Sequence, residues 1–251
     1  MQDLSRWKNK VALVTGATAG IGEAIAVALA NFGMTVAISG RRTEQLEAVV
    51  NGIRQQGGRA FYFTCELGEE ASILQMFAAI RRDIGVLDVL INNAGTGFEG
   101  SIADSSTSDL QQVMAVNVLG TSICIREAIK QFQHRQDTAV ITISSLAAHR
   151  VPPGGYGHYA ASKHALRALM EALRTELITL GSPTKVGSIS PGTVATEFHK
   201  HFARSDVDPT EALKFERLLP QDIAEAVVYM LSTPRHVQIN DILMRPLGQL
   251  G

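Results

Sequence analysis

At 251 residues the chain is long enough to bury the core of one α/β domain, and nothing in its length requires a second domain. Apolar residues make up 45% and charged residues 19%, which is typical of a globular protein, and the net charge of −1 argues against nucleic acid or a membrane surface as a partner. We therefore expect a small molecule as the ligand.

The cysteine count and the first residues bear on the compartment. Cys65 and Cys124 are too few for a disulfide framework or a zinc site, which favours a reducing compartment. Residues 1–10 carry charges without an apolar signal core, and no segment offers about 18 uninterrupted apolar residues. These features predict a cytoplasmic protein without a membrane anchor.

Strand-like and helix-like segments alternate along the chain. Short apolar runs predict strands over 11–15, 35–39, 59–64, 86–92, 139–144, 185–190 and 238–244. Helical spacing predicts helices over 21–32, 43–56, 69–84, 108–133, 158–180 and 220–231. This alternation predicts an α/β fold with one Rossmann-type, doubly wound parallel sheet of about seven strands, helices on both faces, and a single domain over 1–251.

The segment 193–219 interrupts this alternation with mixed charges and scattered apolar residues. A polar insertion between a strand and a helix is where a substrate lid would sit, although a solvated surface excursion is the alternative. His199 and His201 in this segment have the spacing of a metal pair, but no third ligand is evident. We therefore predict no metal site.

A glycine-rich turn follows the first strand and opens the first helix. The turn reads TGATAGIG over 15–22. Its glycines permit a tight turn, and the helix N-terminus offers free N–H groups to a pyrophosphate. The spacing G-x-x-x-G-x-G differs from the common dinucleotide pattern, so a structural turn and a methyltransferase-like nucleotide loop remain alternatives.

The end of the second strand bears on the choice of cofactor. An NAD site needs an acidic residue there to accept the ribose hydroxyl, but this strand is followed by Arg41 and Arg42. Two guanidiniums suit a phosphate, which favours NADP(H) over NAD(H). Surface arginines at the start of a helix are the alternative.

Tyr159 and Lys163 lie four residues apart, so on a helix they share one face. A nearby cation favours the phenolate of a tyrosine, whose ordinary pKa is about 10, and the pair could then transfer a proton near neutral pH. An isolated pair of this kind is more often a packed ring beside a solvated ammonium. The interpretation as a general acid/base therefore depends on the rest of the chain.

Six motifs occur in a characteristic order: the glycine turn, the sequence NNAG at 92–95, Asn117, the serines at 144–145, the sequence YAASK at 159–163, and the dipeptide at 191–192. In these motifs essentially the whole chain resembles the short-chain dehydrogenase/reductase family. The tail over 220–246 resembles the NADP-dependent branch that contains farnesol dehydrogenase-like and ketosteroid-reducing enzymes, and clavulanate and 3-hydroxy acid dehydrogenases.

The resemblance implies a hydride transfer between NADP(H) and a small or medium carbonyl or secondary alcohol. Tyr159 would be the general acid/base, Lys163 would lower its pKa and bind the nicotinamide ribose, and Asn117 would hold a water that relays protons. The family's serine would hydrogen-bond the oxyanion. We choose Ser145 for this role, as the second serine of the pair, and regard Ser144 as a packing residue.

The resemblance also implies the residues that contact the cofactor. They are Gly16, Thr18, Ala19, Ile21, Arg41, Arg42, Leu67, Asn93, Ala94, Gly95, Tyr159, Lys163, Pro191, Gly192, Val194 and Thr196. Glu66 replaces the aspartate that usually contacts the adenine, so its contact is less certain than that of Leu67. Ala147, His149, Tyr156 and Phe198 would line the substrate pocket. His149 or Arg150 could be a second polar partner for the substrate, and the alternative is that both are exposed loop residues without a role.

Three further expectations complete the sequence-based picture. The helices predicted over 108–133 and 158–180 resemble those that join subunits in this family, which implies a homotetramer or homodimer. A non-catalytic NADP(H) sensor or scaffold is the alternative function, although such relatives usually lack the tyrosine or the lysine. The residues do not identify the substrate, its stereochemistry or the direction of the reaction.

Overall fold

A computed structural model describes residues 4–250. One parallel sheet of seven strands forms its centre, in the order β3-β2-β1-β4-β5-β6-β7. The strands are β1 (Val11–Thr15), β2 (Thr35–Gly40), β3 (Arg59–Thr64), β4 (Val89–Asn92), β5 (Ala139–Ile143), β6 (Lys185–Pro191) and β7 (Asp241–Met244). The predicted Rossmann-type sheet is thereby confirmed.

In the described part of the chain, eight α-helices surround the sheet. They are α1 (Gly20–Asn31), α2 (Thr43–Gln55), α3 (Glu70–Asp83), α4 (Thr107–Met114), α5 (Thr121–Phe132), α6 (Gly157–Thr179), α7 (Phe198–Ala203) and α8 (Pro220–Ser232). Helices α1, α2 and α8 pack on one face of the sheet, and α3, α5 and α6 pack on the other.

The central strands explain this arrangement. Every residue of β1 is buried, and successive side chains belong to opposite cores: Ala12 and Val14 pack with α1 and α8, whereas Leu13 packs with α3 and α5. A strand that is apolar at every position requires cover on both faces. The continuous apolar runs of the sequence therefore fix the layering of the fold.

Two predicted strands begin later than expected. The prediction placed the start of β4 at residue 86 and that of β7 at residue 238, but the ladders begin at Val89 and Asp241. In each case a glutamine side chain accepts from a backbone N–H that would otherwise donate to a neighbouring strand. The N–H of Leu87 donates to Gln131, and the N–H of Val186 donates to Gln238.

The helix predicted over 108–133 is divided by a π-helical turn, Ala115–Gly120. The turn contains Asn117, which is fully buried. Gly120 allows close packing here, because a Cβ at this position would lie 2.3 Å from the carbonyl oxygen of Leu67. Such π-turns often occur at functional sites.

The polar segment predicted over 193–219 forms a closed excursion. Its ends are joined where the N–H of Leu218 donates to Thr193 and the N–H of Ala195 donates to Leu218. The excursion contains the short helix α7, which the polar sequence did not predict. Within residues 4–250, no helix has the length and apolar character needed to cross a bilayer.

Candidate active site

A cleft of about 910 Å³ opens at the carboxyl ends of the strands. It lies where the strand order reverses between β1 and β4, because β2 and β3 extend to one side and β5 to β7 to the other. Ligands of open parallel sheets bind at such a switch point. The fold therefore brings the glycine turn, the loop after β4 and the start of α6 to one place.

The glycine turn and the loop after β4 are bonded to each other. The Oγ1 of Thr15 accepts hydrogen bonds of 3.1 Å from the N–H groups of Asn93 and Ala94. In return, the side chain of Asn93 donates to the carbonyls of Thr15 and Gly16, each at 2.9 Å. The two segments therefore form one preorganised edge of the cleft.

Glycine is required in this turn for two physical reasons. Gly16 and Gly20 have φ of 64° and 62°, a left-handed conformation that favours glycine. A Cβ on Gly16 would also lie 2.7 Å from the Cα of Ala94. The turn leads directly into α1, whose first N–H groups have no partners within the helix and are suited to a pyrophosphate.

Two arginines lie at the outer end of the cleft, beside the turn. Arg42 donates to the hydroxyl of Thr18 at 2.8 Å and pairs with Glu197 at 3.4 Å. Arg41 pairs loosely with Glu66, at 3.7 Å, and two thirds of its side chain is exposed. Both guanidiniums therefore keep donors available to a further anion.

Glu66 lines the cleft but has bonds of its own. Its Oε1 accepts from the N–H of Gly68 at 3.3 Å, while its other oxygen faces Arg41. The longer carboxylate is thereby drawn towards its own turn and the arginine. The expected adenine contact of Glu66 stays a prediction.

The inner end of the cleft holds Ser145, Tyr159 and Lys163. Ser145 follows β5 and caps the 3₁₀ turn Leu146–Ala148, where its Oγ accepts from the N–H of Ala147 at 3.1 Å. The same side chain lowers the pKa of the Tyr159 phenol. The neighbouring Ser144 is buried, and its Oγ has no partner among the described residues.

Burial dominates the protonation of the tyrosine and the lysine. Burial raises the pKa of Tyr159 to about 12, against a smaller lowering by Ser145. Burial also lowers the pKa of Lys163 to about 8. The Lys163 Nζ lies 5.6 Å from the centroid of the tyrosine ring, and the expected lowering of the pKa of the phenol by this cation stays a prediction.

Asn117 lies behind this group and does not line the cleft. Its amide nitrogen donates to the carbonyl of Thr96 at 2.7 Å and to the hydroxyl of Ser162 at 2.9 Å, and its oxygen accepts from the N–H of Thr96 at 2.8 Å. Both amide protons are therefore used. The side chain joins the loop after β4 to α6, one residue before Lys163, and its predicted role in holding a water stays a prediction.

Aromatic rings from the excursion cover the tyrosine. Phe198 and Phe202 of α7 each lie 5.6 Å from the ring of Tyr159, measured between centroids, and Phe202 stacks on Tyr156 at 4.3 Å. Helix α7 is held there by Arg204, which pairs with Asp109 of α4. Three aromatic rings, those of Tyr156, Tyr159 and Phe198, therefore line the cleft at this point.

The structure brings together nearly all of the predicted site residues. The residues predicted for cofactor and substrate line this one cleft, with the exception of His149. His149 was expected to face the substrate, but its Nε2 lies 2.9 Å from Asp241 and 3.1 Å from Ser190. These polar partners hold the imidazole outside the lining, whereas the adjacent Arg150 lies within it.

Sequence reasoning missed the contribution of the C-terminus. The Oε1 of Gln249 accepts from the N–H of Thr193 at 3.0 Å, and its side chain lines the cleft. Gly192 leaves room for it, since a Cβ there would lie 2.2 Å from that oxygen. No pattern in the sequence links these residues, which are 56 positions apart. Within residues 4–250, no three His, Cys, Asp or Glu side chains converge as metal ligands.

Comparison with known proteins gives consistent similarities. The sequence model of the family described as short chain dehydrogenase matches residues 10–206. Dehydrogenase/reductase SDR family member 11 of Bos taurus is 41% identical, with 98% of this chain and 100% of that protein aligned. Farnesol dehydrogenase of Aedes aegypti is 36% identical, over 98% of this chain and 99% of its own.

Solved structures of similar proteins contain both types of nicotinamide cofactor. An alcohol dehydrogenase from Thermococcus sibiricus, complexed with 5-hydroxy-NADP, superposes with a TM-score of 0.84 at 30% identity, over 96% of this chain and 98% of that one. A short chain dehydrogenase/reductase from Burkholderia phymatum, in complex with NAD, gives 0.85 at 25% identity, over 94% and 89%. These similarities support a nicotinamide cofactor without fixing its type.

Proposed function

The chain belongs to the short chain dehydrogenase family of oxidoreductases, and we propose that it transfers hydride between NADP(H) and a small or medium carbonyl compound or secondary alcohol. The observation that carries this proposal is the group formed by Ser145, Tyr159 and Lys163. These side chains converge at the inner end of a cleft whose outer end offers a glycine turn and two arginines. A dinucleotide that extends along the cleft would place its two ends at these two sites.

The residues of the cleft fit a dinucleotide. The turn at Gly16 and the N-terminus of α1 offer N–H groups for a pyrophosphate. The loop from Pro191 to Thr196, which lines the inner half, would hold the nicotinamide carboxamide. When bound, the nicotinamide supplies or accepts the hydride.

The preference for NADP(H) depends on Arg41 and Arg42. Neither position offers the carboxylate that would accept the ribose hydroxyls of NAD, and both guanidiniums remain partly exposed beside the turn. A 2′-phosphate would compete with Glu66 and Glu197 for them, and charge-assisted bonds to phosphate are strong enough to succeed.

The protein's own groups would handle the proton. Tyr159, whose pKa of about 12 keeps the phenol protonated at neutral pH, is suited to donate a proton to the carbonyl oxygen. Ser145 would hydrogen-bond the same oxygen as negative charge develops on it. Lys163, which is still charged below a pKa of about 8, would stabilise the phenolate that the tyrosine leaves behind.

We further propose that the excursion over 193–219 acts as the lid. The Phe198 and Phe202 rings already contact Tyr159, so a substrate must enter beside them and is then enclosed away from water. The same rings favour an apolar body for the substrate. Asn117 would support the site by holding the loop at Thr96 against α6.

The direct test is NADPH oxidation against a panel of ketones, aldehydes and oxo acids. We expect turnover with NADPH, and a loss of about 100-fold or more in Tyr159→Phe, which keeps the ring but cannot donate a proton. Unchanged turnover in this variant would overturn the mechanism. Cofactor binding by calorimetry without turnover of any carbonyl would instead identify a non-catalytic binding protein.

A further inference from the structure

Arg150 is a cation that lines the cleft, and no ion pair joins it to a carboxylate within residues 4–250. It follows the 3₁₀ turn after Ser145 and lines the inner half of the cleft. Its Nε is buried and lacks a hydrogen-bond partner among the described residues. An arginine has five N–H donors and no acceptor, so an anion in the cleft could accept hydrogen bonds from this side chain.

The other arginines of the cleft are paired. Arg41 faces Glu66, Arg42 faces Glu197, and Arg204 faces Asp109. Among the lining residues within 4–250, the carboxylates are Glu66 and Glu197, and each is already matched to an arginine at the cofactor end. The protein therefore provides Arg150 with no carboxylate in the cleft.

The backbone holds Arg150 in place. The preceding His149 is tied to Asp241 on β7 and to Ser190 on β6, and Pro152 restricts the chain two residues later. The loop that carries Arg150 is thus supported on both sides, and Ser145 and Tyr159 line the same cleft. A preorganised cation loses little conformational entropy when it binds an anion.

The Arg150 side chain is partly buried, and burial of its Nε without a hydrogen-bond partner is unfavourable, so a ligand that supplies an anion would offset this cost. The planar fork of arginine matches a carboxylate with two parallel hydrogen bonds. We propose that Arg150 binds a carboxylate on the substrate, so that the preferred substrates are oxo acids and hydroxy acids with an apolar body. This inference depends on the proposed oxidoreductase function, because it names the substrate class of the same site.

Each oxo acid should be compared with its own methyl ester, since the pair differs only in the charge that Arg150 would bind. We expect kcat/KM with NADPH to favour the acid in the native enzyme. In Arg150→Met the ratio of acid to ester should fall by about 10- to 100-fold. Arg150→Lys keeps the charge but not the planar fork, so its ratio of acid to ester should lie between those of the native enzyme and Arg150→Met. The control, Arg82→Met on an exposed surface of α3, should keep the native ratio.

A series of oxo acids with the keto group at successive positions along the carbon chain of the substrate would show the spacing between the site of carbonyl reduction and Arg150. An equal preference for acids and esters throughout the series would overturn the proposal. Reduction of the esters alone would do so too, while leaving the oxidoreductase function intact. Failure to reduce any carbonyl would instead remove the function on which the proposal depends.

A binding measurement provides a readout that does not require turnover. Calorimetry should show that a straight-chain alkanoate binds the enzyme saturated with NADP⁺, and that Arg150→Met weakens this binding by a similar factor while binding NADP⁺ as the native enzyme does. Equal alkanoate binding in both proteins would overturn the proposal. Dissociation of an oligomer in Arg150→Met, measured by sedimentation, would also do so, because it would assign the guanidinium to a contact between subunits.

Discussion

The side chain of Ser145 lowers the pKa of the Tyr159 phenol, whereas the hydroxyl of the adjacent Ser144 has no hydrogen-bond partner among the described residues. The two serines are neighbours at the end of β5, yet only Ser145 acts on the tyrosine. Ser145 has extended backbone and begins a 3₁₀ turn, which its side chain caps by accepting from the N–H of Ala147.

This difference predicts unequal effects of the two serine-to-alanine substitutions. Ser145→Ala should lower kcat by about 100- to 1000-fold, because it removes a donor to the developing oxyanion. Ser144→Ala should stay within about threefold of the native value, since its hydroxyl makes no bond that could be lost. NADPH consumption with one good substrate measures both, and similar losses in the two variants would contradict the assignment.

Removal of Arg41 should change the choice of cofactor. Arg41→Ala should raise the KM for NADPH by about 10- to 100-fold, because it deletes a charge-assisted bond to the 2′-phosphate, and should change the KM for NADH far less. The exposed Arg82, which pairs with Asp83, provides the control. An equal change for both cofactors would show that Arg41 does not recognise the phosphate.

The pKa of Lys163 leads us to expect a specific pH dependence of carbonyl reduction. The phenol of Tyr159 remains protonated up to a pKa of about 12, but the ammonium of Lys163 loses its charge above a pKa of about 8. Loss of this charge removes the stabilisation of the phenolate. The kcat/KM for reduction should therefore be level below about pH 8 and fall by up to about tenfold per unit above it. A profile that stays level to about pH 10 would refute this assignment.

Asp88, which directly precedes β4 at the amino ends of the strands, should be important for the stability of the fold. It is 2% exposed, accepts a 2.9 Å bond from the N–H of Val11, and pairs with Lys10 and Arg135. Asp88→Ala should lower the free energy of unfolding by about 3 kcal/mol, because two cations and a backbone donor lose their partner. Urea titration measures the loss. Asp83→Ala, which removes an exposed carboxylate, should leave the midpoint close to the native one.

Exposed apolar side chains on two helical segments predict self-association. Leu119 in the π-turn is 57% exposed and Ile178 at the end of α6 is 62% exposed. The expected homodimer or homotetramer would cover such residues. Sedimentation should show an assembly at micromolar concentration, and Leu119→Asp should shift it towards monomer, unlike Leu74→Asp on α3. A native protein that sediments as monomer would contradict this expectation.

The sequence predicts the sheet well because its signals are local. Continuous apolar strands and amphipathic helices recur along the chain, and the glycine turn follows β1 directly. The residues of the cleft could also be predicted from the sequence, since their motifs have a characteristic order. Errors at the strand ends arose where side chains such as Gln131 and Gln238 replace backbone partners, and no local pattern shows this.

The remaining features depend on contacts between distant residues. Burial of Tyr159, which raises its pKa, involves contacts with Phe198 and Phe202 of α7, and the four-residue spacing of the motif does not predict these contacts. The direction of His149 follows from Asp241, which is 92 positions away along the chain. Neighbours in sequence can thus face opposite ways, as His149 and Arg150 do.

The bond between Gln249 and the N–H of Thr193 has a practical consequence for kinetic work. An affinity tag fused after residue 251 would begin three positions after Gln249, whose side chain lines the cleft. Near the start of the chain, Trp7 donates to the carbonyl of Leu231, close to the end of α8. This contact lies at the amino ends of the strands, whereas the cleft lies at their carboxyl ends. A tag placed before residue 1 should leave the KM for NADPH as it is, whereas a C-terminal tag should raise it.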